Sequence, residues 1–431
     1  MPSWLFTLLQ VRRRLWFTVA LYSGLGVAAA LVAARFGRYV PSDFPLKLGS
    51  DAVDDLLSIL ASSMLAVATF SLATLVTAYT SVVGAISPHA ARLLVSVGAI
   101  RNTLATFIGA FVYAMVGIVA LHTGYYGAEG RVILFFVTVA VLVGVIVAML
   151  RWIGELSNLG QAGNVIDRVA DATAEALRAP LSLRRAATAS PPQDALAVYA
   201  ERLGYVQNID IKGLERSART RGARIFLCVQ PGDFVHGGAP LLWASGPPLD
   251  AACVRELHDR VTLGPERTHE QDPRYGMRVL GEIAARALSP GVNDAGTARD
   301  VISRAVILLR DWAVGNPVED APDAPEVVTR PALAGRLLLE EAVGPIIQHG
   351  AAHPGLQVEL QHALAGLAAL PDPEIAAAAW QVSRDALAQS SRSIARQADR
   401  RRVHEAAMRV LAAARPSARD ETFAPRVPGA R

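Results

Sequence analysis

The feature that most constrains this fold is a run of 31 residues, Leu56–Ile86, that contains no charged side chain. A helix needs about 20 apolar residues to cross the roughly 30 Å hydrocarbon core of a bilayer, so this run can span it, tilted or projecting beyond it. Three further uncharged apolar runs have the length of membrane spans: Leu15–Ala34, Leu104–Leu121 and Val132–Leu150. The sequence therefore predicts an α-helical transmembrane bundle of about four spans within residues 1–151.

The positions of the basic residues predict the orientation of the spans. The cluster Arg12–Arg14 precedes the first run, and basic loops favour the cytoplasmic side. Four spans then return the chain to the cytoplasm at Arg151. Arg35, Arg38 and Lys47 in the first external loop are a contrary signal. We expect a multi-pass protein of the bacterial plasma (inner) membrane with both termini cytoplasmic and the lipid bilayer as a partner.

The net charge of +4 belongs to the membrane part of the chain. Residues 1–150 contain 9 basic and 5 acidic side chains, which leaves 33 of each sign for the remainder. Despite a pI of about 9.2, no basic face or aromatic–basic module is evident, so no nucleic-acid partner is expected. Cys228 and Cys253 lack a CxxC spacing and are interpreted as packing residues of a reduced compartment.

Four hydroxyl-bearing residues recur at helical spacing along the longest run: Ser71, Thr74, Thr77 and Ser81. Serine and threonine in a span can bond their own backbone or a neighbouring helix, which makes a packing face the simpler interpretation. The alternative is a pore or substrate path lined by hydroxyl groups. Both interpretations stay open at this point.

The chain after the spans is expected to form a soluble α+β domain in several parts. Composition and Pro/Gly positions divide it into a cytosolic helix and linker (152–203), a small β-rich subdomain (204–265), a helical subdomain (266–414) and a disordered tail (415–431). The segment Pro231-Gly-Asp-Phe-Val-His-Gly-Gly-Ala-Pro-Leu-Leu resembles a hairpin of β-hammerheads and biotinyl/lipoyl-like sandwiches. Lys212 lacks the methionine-flanked hairpin of a carrier lysine, so no attached cofactor is expected.

Catalytic and metal-binding motifs are not apparent in the sequence. His269-Glu270 is followed three residues later by Pro273 instead of histidine, so the HExxH spacing of zinc proteases is missing. Nucleophile elbows, Walker loops and dinucleotide fingerprints are also not found. We expect no metal and no cofactor, and an enzyme is the third hypothesis, which requires Asp272, His269 and Asp294 to cluster in one cavity.

The densest group of polar residues lies on either side of one predicted helix: Asp272, Arg274, Tyr275, Ser289, Asn293 and Asp294. One interpretation is that Asn293 and Asp294 cap the free amides of the next helix. The other is that this constellation converges on a ligand or couples the soluble domain to the membrane half.

Several of these motifs together resemble a bacterial family of predicted integral membrane proteins that is catalogued as a domain of unknown function. They are Thr69-Phe-Ser-Leu, Ile86-Ser-Pro-His, Leu104-Ala-Thr-Phe-Ile-Gly-Ala-Phe-Val-Tyr113, Gly204-Tyr-Val-Gln, the Pro231-Gly-Asp segment and Ala287-Leu-Ser-Pro-Gly-Val-Asn-Asp. The sequence departs from the family pattern at Asp294-Ala-Gly-Thr, where Asp-Pro-x-Thr is expected. The resemblance implies a membrane location and this topology, without an activity.

Two functional hypotheses follow from this architecture. The first is a homo-oligomeric channel or transport protein that is regulated by its cytosolic domain through a small-molecule or ion ligand. The second is a membrane-anchored scaffold or stress-signalling component without transport activity.

Overall fold

The computed structural model describes residues 19–21, 23–24, 27–28, 50–85, 87–90, 98–123, 128–158, 162–179, 191–315 and 327–414. By their internal contacts the residues form two compact units. The membrane unit consists mainly of Leu5–Gly84 and Pro88–Asn164, and the soluble unit mainly of Val165–Arg431. The predicted disordered tail, 415–431, lies outside the described residues.

The membrane unit contains three described helices: α1 (Ser50–Ala85), α2 (Gly98–His122) and α3 (Ala128–Asn158). Each is long and apolar enough to cross a membrane, over Val53–Ala78, Asn102–His122 and Ile133–Gly154. These three match the second, third and fourth spans predicted from the sequence. Most of the first predicted span, Leu15–Ala34, lies outside the described residues, and its described parts at 19–21, 23–24 and 27–28 are helical.

Helix α2 is the most enclosed of the three and packs against both of the others. Its Gly117 lies against α1, where a β-carbon would be 3.2 Å from a methyl carbon of Leu57. Small residues let membrane helices approach closely, which explains a glycine there. The buried hydroxyls of Tyr113 and Thr138 are 2.9 Å apart and join α2 to α3.

The soluble unit begins with α4 (Ala162–Leu177) and continues into two small sheets. Their strands are β1 (Leu196–Tyr199), β2 (Gly204–Ile209), β3 (Arg224–Leu227), β4 (Phe234–Val235), β5 (Pro240–Ser245), β6 (Val261–Gly264) and β7 (Val328–Thr329). One sheet has the order β1-β5-β3-β7, with only β3 and β7 parallel, and the other is antiparallel with the order β4-β2-β6. Helices α5 (Ile211–Arg221) and α6 (Ala251–His258) complete this β-rich part.

The glycine-rich segment after Pro231 does not form the predicted hammerhead-type hairpin. Strand β4 pairs with β2 in one sheet, whereas β5 pairs with β1 and β3 in the other. The turns at Gly232 (φ +86°) and Gly238 (φ +82°) use the left-handed conformations expected of glycine and lead the chain from one sheet to the other. Val235 and Leu241 are both buried in the core that the two sheets share.

The remainder of the soluble unit is helical: α7 (Pro273–Ala287), α8 (Ala295–Gly315), α9 (Gly335–His349), α10 (Pro354–Ala368), α11 (Pro373–Ser393) and α12 (Gln397–Ala413). Prolines start three of these helices because their fixed φ suits the first turn. Helix α4 packs on α7 so closely that a β-carbon at Gly276 would overlap the side chain of Thr173.

Candidate functional site

The structure places two of the four hydroxyl-bearing residues predicted to share one face of α1, Ser71 and Thr77, on different sides of the helix. Ser71 is buried (1% exposed) on the side that packs into the bundle, whereas Thr77 is exposed. Thr74 is half-buried, and its hydroxyl donates to the carbonyl oxygen of Phe70 at 2.9 Å. The side chain of Ser81 lies outside the described residues. Ser71 therefore belongs to a packing face, and Thr77 belongs to a different side of the helix.

A longer set of small and hydroxyl-bearing residues, which the sequence analysis missed, runs along the side of α1 opposite the bundle. Seven residues spaced three or four apart are all exposed, and we call them the hydroxyl face: Ser58, Ser62, Ala66, Thr69, Ala73, Thr77 and Thr80. They extend over about 33 Å at about 1.5 Å per residue, which matches the thickness of the hydrocarbon core. The regular spacing of small residues was the available signal in the sequence.

The hydroxyl protons of this face are used within α1 itself. Ser62, Thr69, Thr77 and Thr80 donate to backbone carbonyl oxygens three or four residues earlier, at 2.9, 2.8, 3.1 and 2.9 Å. A hydroxyl oxygen also has two acceptor lone pairs, which these bonds leave available. The hydroxyl face therefore presents oxygen acceptors, the ligand type that hard cations prefer.

A carboxylate lies at one end of the hydroxyl face, and large exposed apolar side chains flank the face on α1: Ile59 (64%), Leu65 (52%), Phe70 (66%) and Val76 (54%). Asp55, one turn before Ser58, is exposed and adds a carboxylate at one end. The outer side of α3 likewise exposes large apolar side chains such as Phe136 (54%), Val143 (55%) and Leu150 (66%). Large apolar side chains suit contact with lipid, and small or hydroxyl-bearing ones concentrate where membrane helices meet other helices.

In the soluble unit, Asp272 is almost fully buried (2% exposed) at the start of α7. Its carboxylate accepts two hydrogen bonds from Arg267, at 2.8 and 3.0 Å, and a third from the backbone amide of Tyr275 at 3.0 Å. The side chain is therefore both the N-cap of α7 and one half of a buried bidentate ion pair. The ring centroid of Tyr275 is 5.2 Å from the guanidinium carbon of Arg267 and 4.4 Å from the ring centroid of His269.

The same helix end holds the turn that joins the two sheets. A β-carbon at Gly232 would overlap the carboxylate of Asp272, so only glycine fits against this charge. Arg274 donates to the carbonyl oxygen of Pro231 at 2.9 Å and to the carboxylate of Asp233 at 2.6 Å. Asp272 and Arg274 thus fix the turn to α7, next to Tyr275 in the first turn of the helix.

The other three predicted residues lie at the opposite end of α7, in the turn before α8. Asn293 has φ +51°, and its backbone N–H donates to the backbone carbonyl oxygen of Ser289 at 2.9 Å. Asp294 accepts hydrogen bonds from the hydroxyl of Thr297 at 2.6 Å, the amide of Thr297 and the amide of Gly296, which together hold the pKa of Asp294 below its usual range. This arrangement caps α8.

The length of α7 decides whether the predicted residues at its two ends can contact one ligand or have separate roles. Its 15 residues extend over about 22 Å, so one small ligand cannot contact both Asp272 and Asp294. The cluster of Asp272, His269 and Asp294 that an enzyme would require is therefore not formed. Within the described ranges, no three His, Cys, Asp or Glu side chains are placed to hold a metal ion.

An open groove of about 390 Å³ lies between α9 and α11. Its walls include two carboxylates, two amides and two aliphatic side chains: Glu340, Asp385, Gln348, Gln389, Ile347 and Val382. None of the six predicted residues around α7 lines this groove.

Comparisons with known proteins give partial matches to two uncharacterized proteins. Two relatives are 36% identical over 122 residues, the uncharacterized proteins Rv1290c of Mycobacterium tuberculosis and Mb1321c of Mycobacterium bovis. The match covers 26% of this chain and 23% of each relative, so the chain spans less than a quarter of the length of these relatives. No solved structure matches the chain.

The family model described as predicted membrane protein (DUF2254) matches residues 12–366, which is most of the chain. The matched range includes all three apolar helices and continues through the β-rich part into α10. The protein is therefore embedded in a membrane and belongs to the family described as predicted membrane protein (DUF2254), a domain of unknown function.

Proposed function

We propose that the protein is a homo-oligomeric cation channel whose path is lined by the hydroxyl face of α1 and whose soluble unit regulates its opening. The observation that supports this proposal is the hydroxyl face itself: small residues and oxygen acceptors stay exposed over the thickness of the membrane. One helix cannot enclose a path, so several copies of α1 are required around a common axis. The acceptors and Asp55 at one end favour cations over anions, because rings of carboxylates attract cations.

The regulatory part of the proposal is supported by the contacts of α4. This helix begins four residues after the end of α3 and buries one side in the soluble unit, with Val165, Val169 and Thr173 each at most 1% exposed. Thr173 lies against Gly276, one turn from the buried pair of Asp272. A change at the start of α7 therefore has a direct path to the helix that follows the last span.

Planar-bilayer recordings of the purified full chain test conduction. We expect cation-selective currents, which Asp55→Asn reduces at low ionic strength and affects little at high salt, because salt screens the carboxylate. Ala73→Phe is expected to block the current by filling the path with a bulky ring. Leu72→Phe is the matched control, because Leu72 lies beside Ala73 and is also exposed (46%) but is not part of the hydroxyl face.

The outcomes distinguish this channel from the alternative of a membrane-anchored scaffold. Crosslinking in the same samples shows whether each variant still assembles, so a block can be separated from a loss of assembly. Silent bilayers across cations and voltages contradict a channel, and they favour the scaffold if α1 crosslinks to another protein. Equal currents in Ala73→Phe and wild type exclude the hydroxyl face as the path.

We further propose that the protein lies in the bacterial inner membrane with its soluble unit and both termini in the cytoplasm. In a chain with Cys228→Ser and Cys253→Ser, a membrane-impermeant maleimide added to intact cells should label Thr123→Cys and not Glu201→Cys. Both positions are exposed, so labelling reports on the side of the membrane. Permeabilised cells should show labelling at both positions. The reverse pattern in intact cells contradicts the proposed orientation.

A further inference from the structure

A dense group of arginines surrounds the junction of α11 and α12, and all of its members are exposed. We call these five residues the arginine surface: Arg392, Arg396, Arg400, Arg401 and Arg402. Among the described residues, the carboxylate within ion-pair distance is that of Asp399, which is 4.0 Å from Arg396 and 3.6 Å from Arg402. The soluble part of the chain is electrically balanced as a whole, so this positive region departs from its surroundings.

Helix stability explains only part of this arrangement, through the pairs of Asp399 with Arg396 and Arg402, each three residues away. Arg400 lies in the first turn of α12, where the helix dipole disfavours positive charge. Arg396 is the N-cap residue of α12, so its positive charge lies at the same end of the helix dipole. The buried side of α12 fixes its rotation and directs the arginines outward, because its apolar side chains pack into the soluble unit: Val403, Ala406, Ala407 and Val410.

The chemistry of this surface fits phosphate groups without nucleobases. A guanidinium donates two parallel hydrogen bonds to a phosphate, and it keeps its charge at every physiological pH. Recognition of single-stranded nucleic acid also uses aromatic side chains for stacking, and residues 391–414 contain no Phe, Tyr or Trp. Because the soluble unit is covalently joined to membrane spans, a lipid surface is held at a high effective concentration near it.

We propose that the arginine surface binds the phosphate headgroups of anionic phospholipids in the bilayer that contains the spans. Basic residues near an anionic membrane surface each contribute a favourable interaction, and the short spacing of these five lets several act together. The binding does not depend on conduction, so it can be tested separately from the proposed channel.

Arginine footprinting of the full chain in nanodiscs tests this proposal. Phenylglyoxal labels accessible arginines, and mass spectrometry gives a rate for each residue. We expect labelling of Arg400, Arg401 and Arg402 to slow at least about fivefold when phosphatidylglycerol replaces about a third of the phosphatidylcholine. The exposed Arg216 and Arg219 of α5 are internal controls and should be unaffected. Added salt at about 0.5 M should remove the protection, because it screens exposed charges.

Additional experiments distinguish anionic lipid from other phosphate-containing ligands of the arginine surface. Equal labelling rates in neutral and anionic nanodiscs overturn the proposal. Protection by inorganic phosphate or by an oligonucleotide in neutral nanodiscs, equal to that from phosphatidylglycerol, overturns the lipid assignment. Native mass spectrometry should show less retained anionic lipid for Arg400→Gln/Arg401→Gln than for the charge-matched control Arg216→Gln/Arg219→Gln, and equal retention counts against the proposal.

Discussion

Replacement of Asp272 by alanine is expected to destabilise the soluble unit by about 3–5 kcal/mol, because it leaves a buried arginine without its carboxylate. Arg267 is only 10% exposed, so water can replace little of the lost interaction. The change also removes the N-cap of α7, which accepts from the amide of Tyr275. At about 2–4 °C per kcal/mol for a unit of this size, Tm should fall by about 6–20 °C in a fluorescence-monitored melt of the full chain.

The other end of α7 provides the control for this result. Asp294→Ala also removes an N-cap, but its carboxylate is exposed and pairs with neutral donors, so we expect a loss of about 0.5–2 kcal/mol. Asp272→Asn keeps the N-cap but loses the negative charge, so its loss of stability should lie between those of Asp272→Ala and Asp294→Ala. If Asp272→Ala melts like wild type and yet loses channel activity, the ligand-binding hypothesis for Asp272 is favoured instead.

Replacement of Gly281 by alanine is expected to destabilise the contact between α7 and α9 by about 1–3 kcal/mol, as overpacked cores do. A β-carbon at this position would overlap the carbonyl oxygen of Glu341 and approach Pro345 to 3.2 Å. Pro345 has no N–H group, so the helix cannot satisfy that carbonyl in the usual way, and the backbone of α7 lies against it. The bidentate pair of Arg278 with Glu341, at 2.8 and 2.6 Å, holds the helices together at this point.

A second glycine in the same subdomain separates this effect from helix propensity. Gly366 is an exposed position within α10 where a β-carbon would meet no atom within 4 Å. Gly366→Ala should therefore stabilise the unit by about 0.5–1 kcal/mol, since alanine favours the helix. If Gly281→Ala and Gly366→Ala both stabilised the unit, that result would falsify the close approach of α7 and α9 at Gly281.

The membrane helices could be predicted from sequence because length and hydropathy alone determine whether a helix can span a bilayer. The spacing of polar residues was less informative. It predicted that Ser71 and Thr77 share one face of α1. A three-residue repeat is shorter than the 3.6-residue helical turn, so two such steps place these residues on different sides of the helix.

The features that sequence missed depend on tertiary structure. Strands β4 and β5 pair in different sheets. This pairing is decided by distant strands and not by the glycines between β4 and β5. The separation of Asp272 from Asn293 and Asp294 depends on the uninterrupted length of α7. The arginine surface was hidden by the overall balance of charge, because net charge does not report where the charges lie.

The short strand β7 has a consequence for how the chain acquires its structure. It pairs in parallel with β3, about a hundred residues earlier, and Gln230 adds a bond to the carbonyl oxygen of Ala332 at 2.9 Å. Until Thr329 has been synthesised, one edge of β3 presents unpaired backbone groups that other chains can join. Contacts between residues so far apart in the sequence form late in folding. We therefore expect the β-rich part to reach its final structure only after the segment from α8 to β7 has been synthesised, and to be prone to aggregation when it is expressed without that segment.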